Sequence, residues 1–190
     1  MFKIDKKEEP EFFKKFKTKK KPKNWKDYTP QIKENLKKYM FKEEQGYYCV
    51  YCENNIDLEN SQIEHIKPKD IFPELTHEYS NYIVGCINSK TCGQYKLKQW
   101  SDKFINPTLE NPEDYLTYDI KTGKIVPKEK EGLKKEKAIY TIEILNLNEN
   151  RLCNIRRRFI LENIGNMESI KYTNKFPSLK KYLIEHYGKK

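Results

Sequence analysis

Four of the five cysteines fall in two pairs, Cys49-x2-Cys52 and Cys86-x5-Cys92, and that arrangement constrains the fold more than any other feature of the chain. Two thiolates on a tight turn can take adjacent corners of a zinc tetrahedron. The other two corners must come from elsewhere, and Cys86 and Cys92 are the obvious candidates. Their spacing is wider than the roughly two to four residues usual for such pairs, but the loop Ile87-Asn88-Ser89-Lys90-Thr91 can fold back to close the site. A structural zinc site is therefore expected, with metal-free buried thiols or a CxxC redox pair as alternatives. Zinc here would tie a first strand to the loop before a helix, in a region too short to be held by burial alone. Cys153, beside Leu152 and Ile155, reads as a core residue.

Thiolate ligation needs a reducing compartment. No stretch approaches the ~20 apolar residues of a membrane span, and the opening MFKIDKKEEPEFF lacks the apolar core of a signal peptide. The expectation is a cytoplasmic protein without membrane contact. The charge of +10 over 190 residues attracts polyanions, nucleic acid above all, although a lysine-rich proteome would give the same excess. Only 36% of residues are hydrophobic, yet 14 Tyr, 9 Phe and 2 Trp can build a core. The length suits one compact domain with extensions.

Residues 1–28 form a basic, amphipathic lead-in, with Phe12, Phe13 and Phe16 set among eight lysines between positions 14 and 26. It reads either as a phosphate-contacting arm or as aromatics docked on a core beneath solvated lysines; the second is preferred. Thr29-Pro30 has the cap and first-turn proline of a helix start, and Ile32, Leu36, Tyr39 and Met40 follow at helical spacing up to Gly46. Residues 61–67 read as a strand ended by Pro68, Tyr82-Ile83-Val84 as a second strand, and Cys92 to Phe104 as a helix. Tyr115–Tyr118 and Lys124–Val126 flank a turn with Asp119 and Gly123, a hairpin pattern. A helix capped by Asn148 and stopped by Gly165 is expected next, then a last one from Ser178 through His186.

Of the three histidines, His65 has the informative setting, while His77 and His186 read as surface or packing residues. Neutral imidazole suits a general base near pH 7, and the neighbouring Glu64 carboxylate suits a divalent cation. A regular strand sends adjacent side chains to opposite faces, so twisting or fraying at the strand end is expected if both serve one centre.

The order YCVYC … IEHIKPKD … NYIVGC … TCGQYK over residues 47–98 resembles the zinc-knuckle ββα-metal motif of HNH nucleases. The flanking FINPTLENPEDYLTYD, IKTGKIVP and TIEILNLNENRLCNIRRRF, with the N-terminal KIDKKEEPEFF, are similar to the HNH subunits of Septu anti-phage systems and their retron-associated relatives. The resemblance implies an α+β fold: a small ββα core at 29–105 stapled by a four-cysteine zinc site, a basic arm at 1–28 and a mainly helical region at 106–190.

Carried over, His65 matches the general base, Glu64 the acid that holds Mg2+ or Mn2+, and Asn81 the loop asparagine that orients the histidine. Cys49, Cys52, Cys86 and Cys92 match the structural zinc ligands. Gly93 is the departure, because HNH helices carry Asn or His there; Gln94, Asn88 or extra water would supply the further ligand. Lys67, Lys69, Lys96 and Lys98 are candidates for contacts to the nucleic-acid backbone, or are solvated lysines.

The implied activity is phosphodiester hydrolysis, of DNA first and RNA second, with an ABC/SMC-like ATPase as partner and also, in a retron, a reverse transcriptase with its DNA–RNA product. The chain has no GxxxxGK[ST] loop of its own. A non-catalytic zinc module that binds nucleic acid or protein, and an effector cutting tRNA, are the other readings kept open.

Overall fold

The computed structural model describes residues 1–188. Its elements run helix α1 (Glu11–Lys20), helix α2 (Pro30–Met40), strands β1 (Ser61–His65) and β2 (Tyr82–Cys86), helix α3 (Cys92–Lys96), strands β3 (Leu116–Asp119) and β4 (Lys124–Pro127), then helices α4 (Gly132–Ile144), α5 (Asn150–Asn163), α6 (Met167–Ile170) and α7 (Pro177–Tyr187). The architecture is mixed α+β with two small antiparallel sheets, β1–β2 and β3–β4.

The lead-in docks. Phe13 on α1 is fully buried, its ring 5.7–6.4 Å from those of Tyr28, Tyr79 and Tyr82. Burying a phenylalanine stabilises by about 2–3 kcal/mol, and the half-buried Phe12 and Phe16 add to it in fixing a ten-residue helix otherwise rich in lysines. Met1, Ile4 and Tyr28 enter the same core as Ile32, Leu36 and Met40 of α2. The Thr29 hydroxyl caps α2 by accepting from Ile32 N–H at 3.3 Å. Past Met40 the helix widens into a π-type turn, Phe41–Gln45, ending at Gly46 with φ +63°.

That turn delivers Gln45 to the edge of β2. Its side-chain oxygen accepts from Val84 N–H at 2.9 Å while its amide nitrogen donates to the Val84 carbonyl at 2.9 Å, so the side chain substitutes for a third strand. On the other edge β1 pairs in unbroken register from Ser61↔Cys86 to His65↔Tyr82, and Ile66 N–H adds a bond to the Asn81 carbonyl at 2.9 Å. The strand end does not fray, contrary to the expectation for Glu64 and His65.

Helix α3 is five residues long and stops at Leu97, φ +50°, not at Phe104. Trp100 and Phe104 lie beyond it in irregular chain with rings 5.4 Å apart, so their apolar spacing reflects docking and not a helical face.

The β3–β4 hairpin forms as its turn residues imply. Asn148 does not cap α5: Glu149 does, accepting from Leu152 N–H at 3.2 Å. Asn148 instead brackets Ile125, accepting from its N–H and donating to its carbonyl, both at 2.8 Å. Buried Arg156 then reaches from α5 to the Gly123 carbonyl at 2.7 Å. A Cβ at Gly123, φ +71°, would collide with the α5 backbone, so glycine is required there. Phe159, Ile160, Ile170, Phe176, Leu179 and Leu183 make a second, smaller core among α5, α6 and α7. Among the described residues no helix is long and apolar enough to cross a membrane.

Candidate functional site

The knuckle Cys49–Cys52 is a tight turn in which Cys49 N–H donates to the Asn54 carbonyl and Glu53 N–H to the Cys49 carbonyl, each at 2.9 Å, with Glu53 at φ +64°. Cys86 ends β2 and Cys92 opens α3. The four sulfur atoms lie within 4.8 Å of one another, with Cys49–Cys92 at 3.8 Å and Cys52–Cys86 at 4.0 Å, and all four thiols are free. A zinc tetrahedron with ~2.3 Å Zn–S bonds has S–S edges of about 3.8 Å, so the cluster could hold such a metal. Hydrogen bonds from Cys49, Cys52 and Cys92 hold the Cys86 thiol well below its ordinary value. Bonds to Cys49 and Cys86 push Cys52 up. Cys153 stands apart, its thiol donating to the Asn148 carbonyl at 3.4 Å.

Next to the cluster, Gln62, Glu64, His65, Lys69, Gly93 and Gln94 border a cleft of about 470 Å³, together with Lys98 and Trp25. Glu64 and His65 both face it, although they are neighbours on an intact strand. Glu64 lies under the start of α3. Its Oε1 meets the Lys96 ammonium at 3.1 Å, and its carboxylate packs so closely on Gly93 that a Cβ there would overlap it. Burial pushes the Glu64 carboxyl up, and the Lys96 charge pulls against that shift. Lys96 is wholly buried, so it is neither a solvated lysine nor an accessible backbone contact.

His65 is flanked edge-on by Trp25, 4.8 Å between ring centroids, and by Tyr82, 5.0 Å. Its Nε2 lies 3.1 Å from the Thr76 carbonyl oxygen. A carbonyl can only accept, so Nε2 carries the proton and Nδ1 the lone pair. Burial lowers the imidazole pKa to about 4, more than the Thr76 bond restores. Asn81 holds the loop after β1: its Oδ1 accepts from Lys67 N–H at 2.8 Å, and its Nδ2 donates to the Lys67 and Leu75 carbonyls at 2.9 and 3.4 Å. The clamped loop is the one that carries Thr76.

Of the two residues suggested for the further ligand position, Gln94 borders the cleft and donates to Gln62 Oε1 at 2.5 Å. Asn88 lies in the loop between Cys86 and Cys92, where its Oδ1 accepts from Lys90 N–H, and borders a different groove. Lys69 and Lys98 reach the cleft, while the Lys67 ammonium sits 5.2 Å over the Phe72 ring. His77 is a packing residue, stacked on Tyr28 and bonded to its hydroxyl at 2.8 Å.

Sequence reasoning missed Trp25 and Thr76. The pattern Asn24-x-x-Asp27 was the available signal for Trp25, because those two residues form a capping box that turns the indole toward β1. Thr76 acts through its carbonyl, and no side-chain pattern announces that.

No family model matches the chain. Among curated proteins it is similar to a Vibrio cholerae serotype O1 biovar El Tor protein that bears the provisional name of retron Vc95 HNH endonuclease, with 36% identity over 145 residues, 70% of this chain and 69% of that one. An Escherichia coli protein provisionally named retron Ec83 HNH endonuclease is 29% identical over 158 residues, 62% of this chain and 61% of its own length. Septu protein PtuB of Bacillus thuringiensis is 33% identical over 108 residues, 53% of this chain and 37% of the relative.

Proposed function

The chain belongs to the HNH endonucleases of the retron and Septu type, and we propose that it is a metal-dependent phosphodiesterase with His65 as general base and Glu64 as the cation-binding acid. The observation that carries this reading is the His65 tautomer. With Nε2–H committed to the Thr76 carbonyl, Nδ1 is left as the proton acceptor of a ring that borders the cleft. Depression of the pKa keeps it unprotonated near neutral pH.

His65 takes a proton from a water at Nδ1, and that water attacks phosphorus. Asn81 keeps the loop, and with it the Thr76 carbonyl, in place behind the imidazole. Lys69 and Lys98 hold flanking phosphates. Mg2+ or Mn2+, when bound, would offset charge on the scissile phosphate and the leaving 3′ oxygen. The cleft residues fit such an ion: Glu64 Oε2 lies over the side-chain-free Gly93, and Gln94 is the nearby neutral oxygen donor. Cys49, Cys52, Cys86 and Cys92 would hold zinc as a staple for a ββα core formed by β1, β2 and α3. That core lies within 29–105, between the lead-in at 1–28 and the mainly helical 106–190. In the cell the subunit would act in anti-phage defence under an ABC/SMC-like ATPase. DNA is the favoured substrate, and structured RNA is the alternative.

The test is cleavage of supercoiled DNA and of structured RNA by purified protein with Mg2+ or Mn2+. His65→Ala should lower the rate by about 10²–10⁴-fold with zinc content and fold unchanged. Full activity in that variant would sink the assignment, and binding without cleavage in the wild type would favour a non-catalytic zinc module.

A further inference from the structure

The lysine run beside Trp25 is not used by the chemistry above. Lys14, Lys19, Lys20, Lys21, Lys23 and Lys26 are exposed, and none makes an ion pair among the described residues. On ordinary surfaces such lysines are interspersed with acids, but positions 12–26 hold none. Nor is the segment a loose tail. Phe13 fixes α1 against Tyr82, the cross-strand partner of His65, and Phe16 packs 5.2 Å from Tyr28. The Asn24–Asp27 capping box locks the turn that carries Trp25, which packs against His65 and borders the cleft. Lys23 and Lys26 flank that indole in sequence. The lysine run is therefore carried on rigid backbone that ends at the cleft wall, and the Lys33 ammonium, 5.1 Å over the Trp25 ring, adds charge at the junction.

We infer that α1 and the turn after it form a phosphate track, which takes the nucleic-acid backbone on one side of the bond presented to His65. The inference rests on the nuclease reading for the role of the cleft, but the track itself is a binding surface and can be tested without cleavage. Charges fixed by a docked helix lose less conformational entropy on binding than lysines on a free arm. Each phosphate neutralised by a lysine releases condensed counterions, so the track contributes to the salt dependence of binding.

The experiment measures binding of a fluorescein-labelled DNA duplex, and of an RNA hairpin, to full-length His65→Ala protein by anisotropy across a series of KCl concentrations. Replacing Lys20, Lys23 and Lys26 by Gln should weaken binding by about tenfold to a hundredfold at 0.1 M salt. It should also reduce the slope of log K against log [salt] by roughly 2–3. The Lys→Arg triple variant should keep the slope, and Gln at Lys121 and Lys124 of the β3–β4 hairpin and at Lys130 just after it should leave it near the wild-type value. An unchanged slope in the first variant, or equal losses in the two Gln sets, overturns the track. Wild-type protein that binds with the track's salt signature but never cuts, either alone or with its ATPase partner and ATP, sinks the nuclease reading and leaves the track standing; protein that cuts while the Gln variant keeps its slope sinks only the track.

Discussion

Thr76 offers His65 only a backbone carbonyl, yet that oxygen decides which nitrogen of the imidazole bears the proton, and Tyr82 OH, donating to it at 2.5 Å, holds it in place. The desolvation that keeps the imidazole unprotonated also has a cost in acid. The folded pKa is about 4 against an ordinary 6.5. Between those values the unfolded chain binds a proton that the folded chain does not, so stability is present above pH 6.5 and is lost as pH falls toward 4. The loss amounts to up to about 3 kcal/mol. Urea titrations at about pH 7.5 and about pH 4.5 should show a smaller acid loss in His65→Gln than in the wild type; equal losses would mean that the imidazole is not held neutral by burial. Gly93 belongs to the same scale. Its missing side chain makes room for the Glu64 carboxylate, so Gly93→Ala should displace that group and cut both the cleavage rate and the Mn2+ affinity at least about tenfold while zinc stays bound. Unchanged Mn2+ affinity would show that Glu64 is not a ligand. The sequence marked Glu64, His65 and Asn81, because HNH-like order singles out side chains. It could not mark Thr76, and Lys96 reads the same whether solvated or buried at the end of α3.

Both hairpins are two-stranded, and a lone pair of strands in water is marginal. Each is completed by one side-chain amide that mimics a neighbouring strand: Gln45 brackets Val84 on β2, and Asn148 brackets Ile125 on β4. Propensity rules read a glutamine before a glycine and an asparagine before a helix as a C-terminal stop and an N-cap. For Asn148 that reading fails because its carboxamide finds two backbone partners on β4 and Glu149 is free to cap. Helix α4 passed unread for a related reason, since its buried Ala138, Thr141 and Ile142 include a small and a polar residue and give a weak apolar stripe. Asn148→Ala leaves the Ile125 N–H and carbonyl without these partners and should cost about 2 kcal/mol, seen as a lower urea midpoint. Asn148→Asp should recover part of this by accepting from Ile125 N–H. A loss below about 0.5 kcal/mol in the alanine variant would mean that water replaces the amide freely.

At the scale of the molecule, the knuckle that carries two of the cysteines also joins the two hydrophobic cores. Glu53, between Cys52 and Asn54, is buried and accepts from Ser178 N–H at 2.7 Å, from the Ser178 and Tyr118 hydroxyls and from the Met1 ammonium, while its carbonyl accepts from Phe176 N–H at 3.3 Å. One carboxylate thus links the start of the chain, the second hairpin and the first turn of α7. Nothing in the local sequence foretells this, because the partners lie 52, 65 and 125 residues away. The knuckle reads as a zinc turn, and its acid as a solvated neighbour. Glu53→Ala removes the acceptor for a buried ammonium and a buried N–H together, and breaking a buried pair costs about 3–5 kcal/mol. A metal held by the four cysteines would still fasten Cys49 and Cys52 to β2 and α3, so the loss should be regional. Hydrogen exchange should quicken over α7 with little change at Ile83 and Val84, and zinc content should stay constant. Glu53→Gln, which keeps an acceptor for Ser178 N–H but not the charge, should fall between. Exchange that quickens equally in α7 and β2 would show that the two cores open as one unit, and that the carboxylate is not a separate latch.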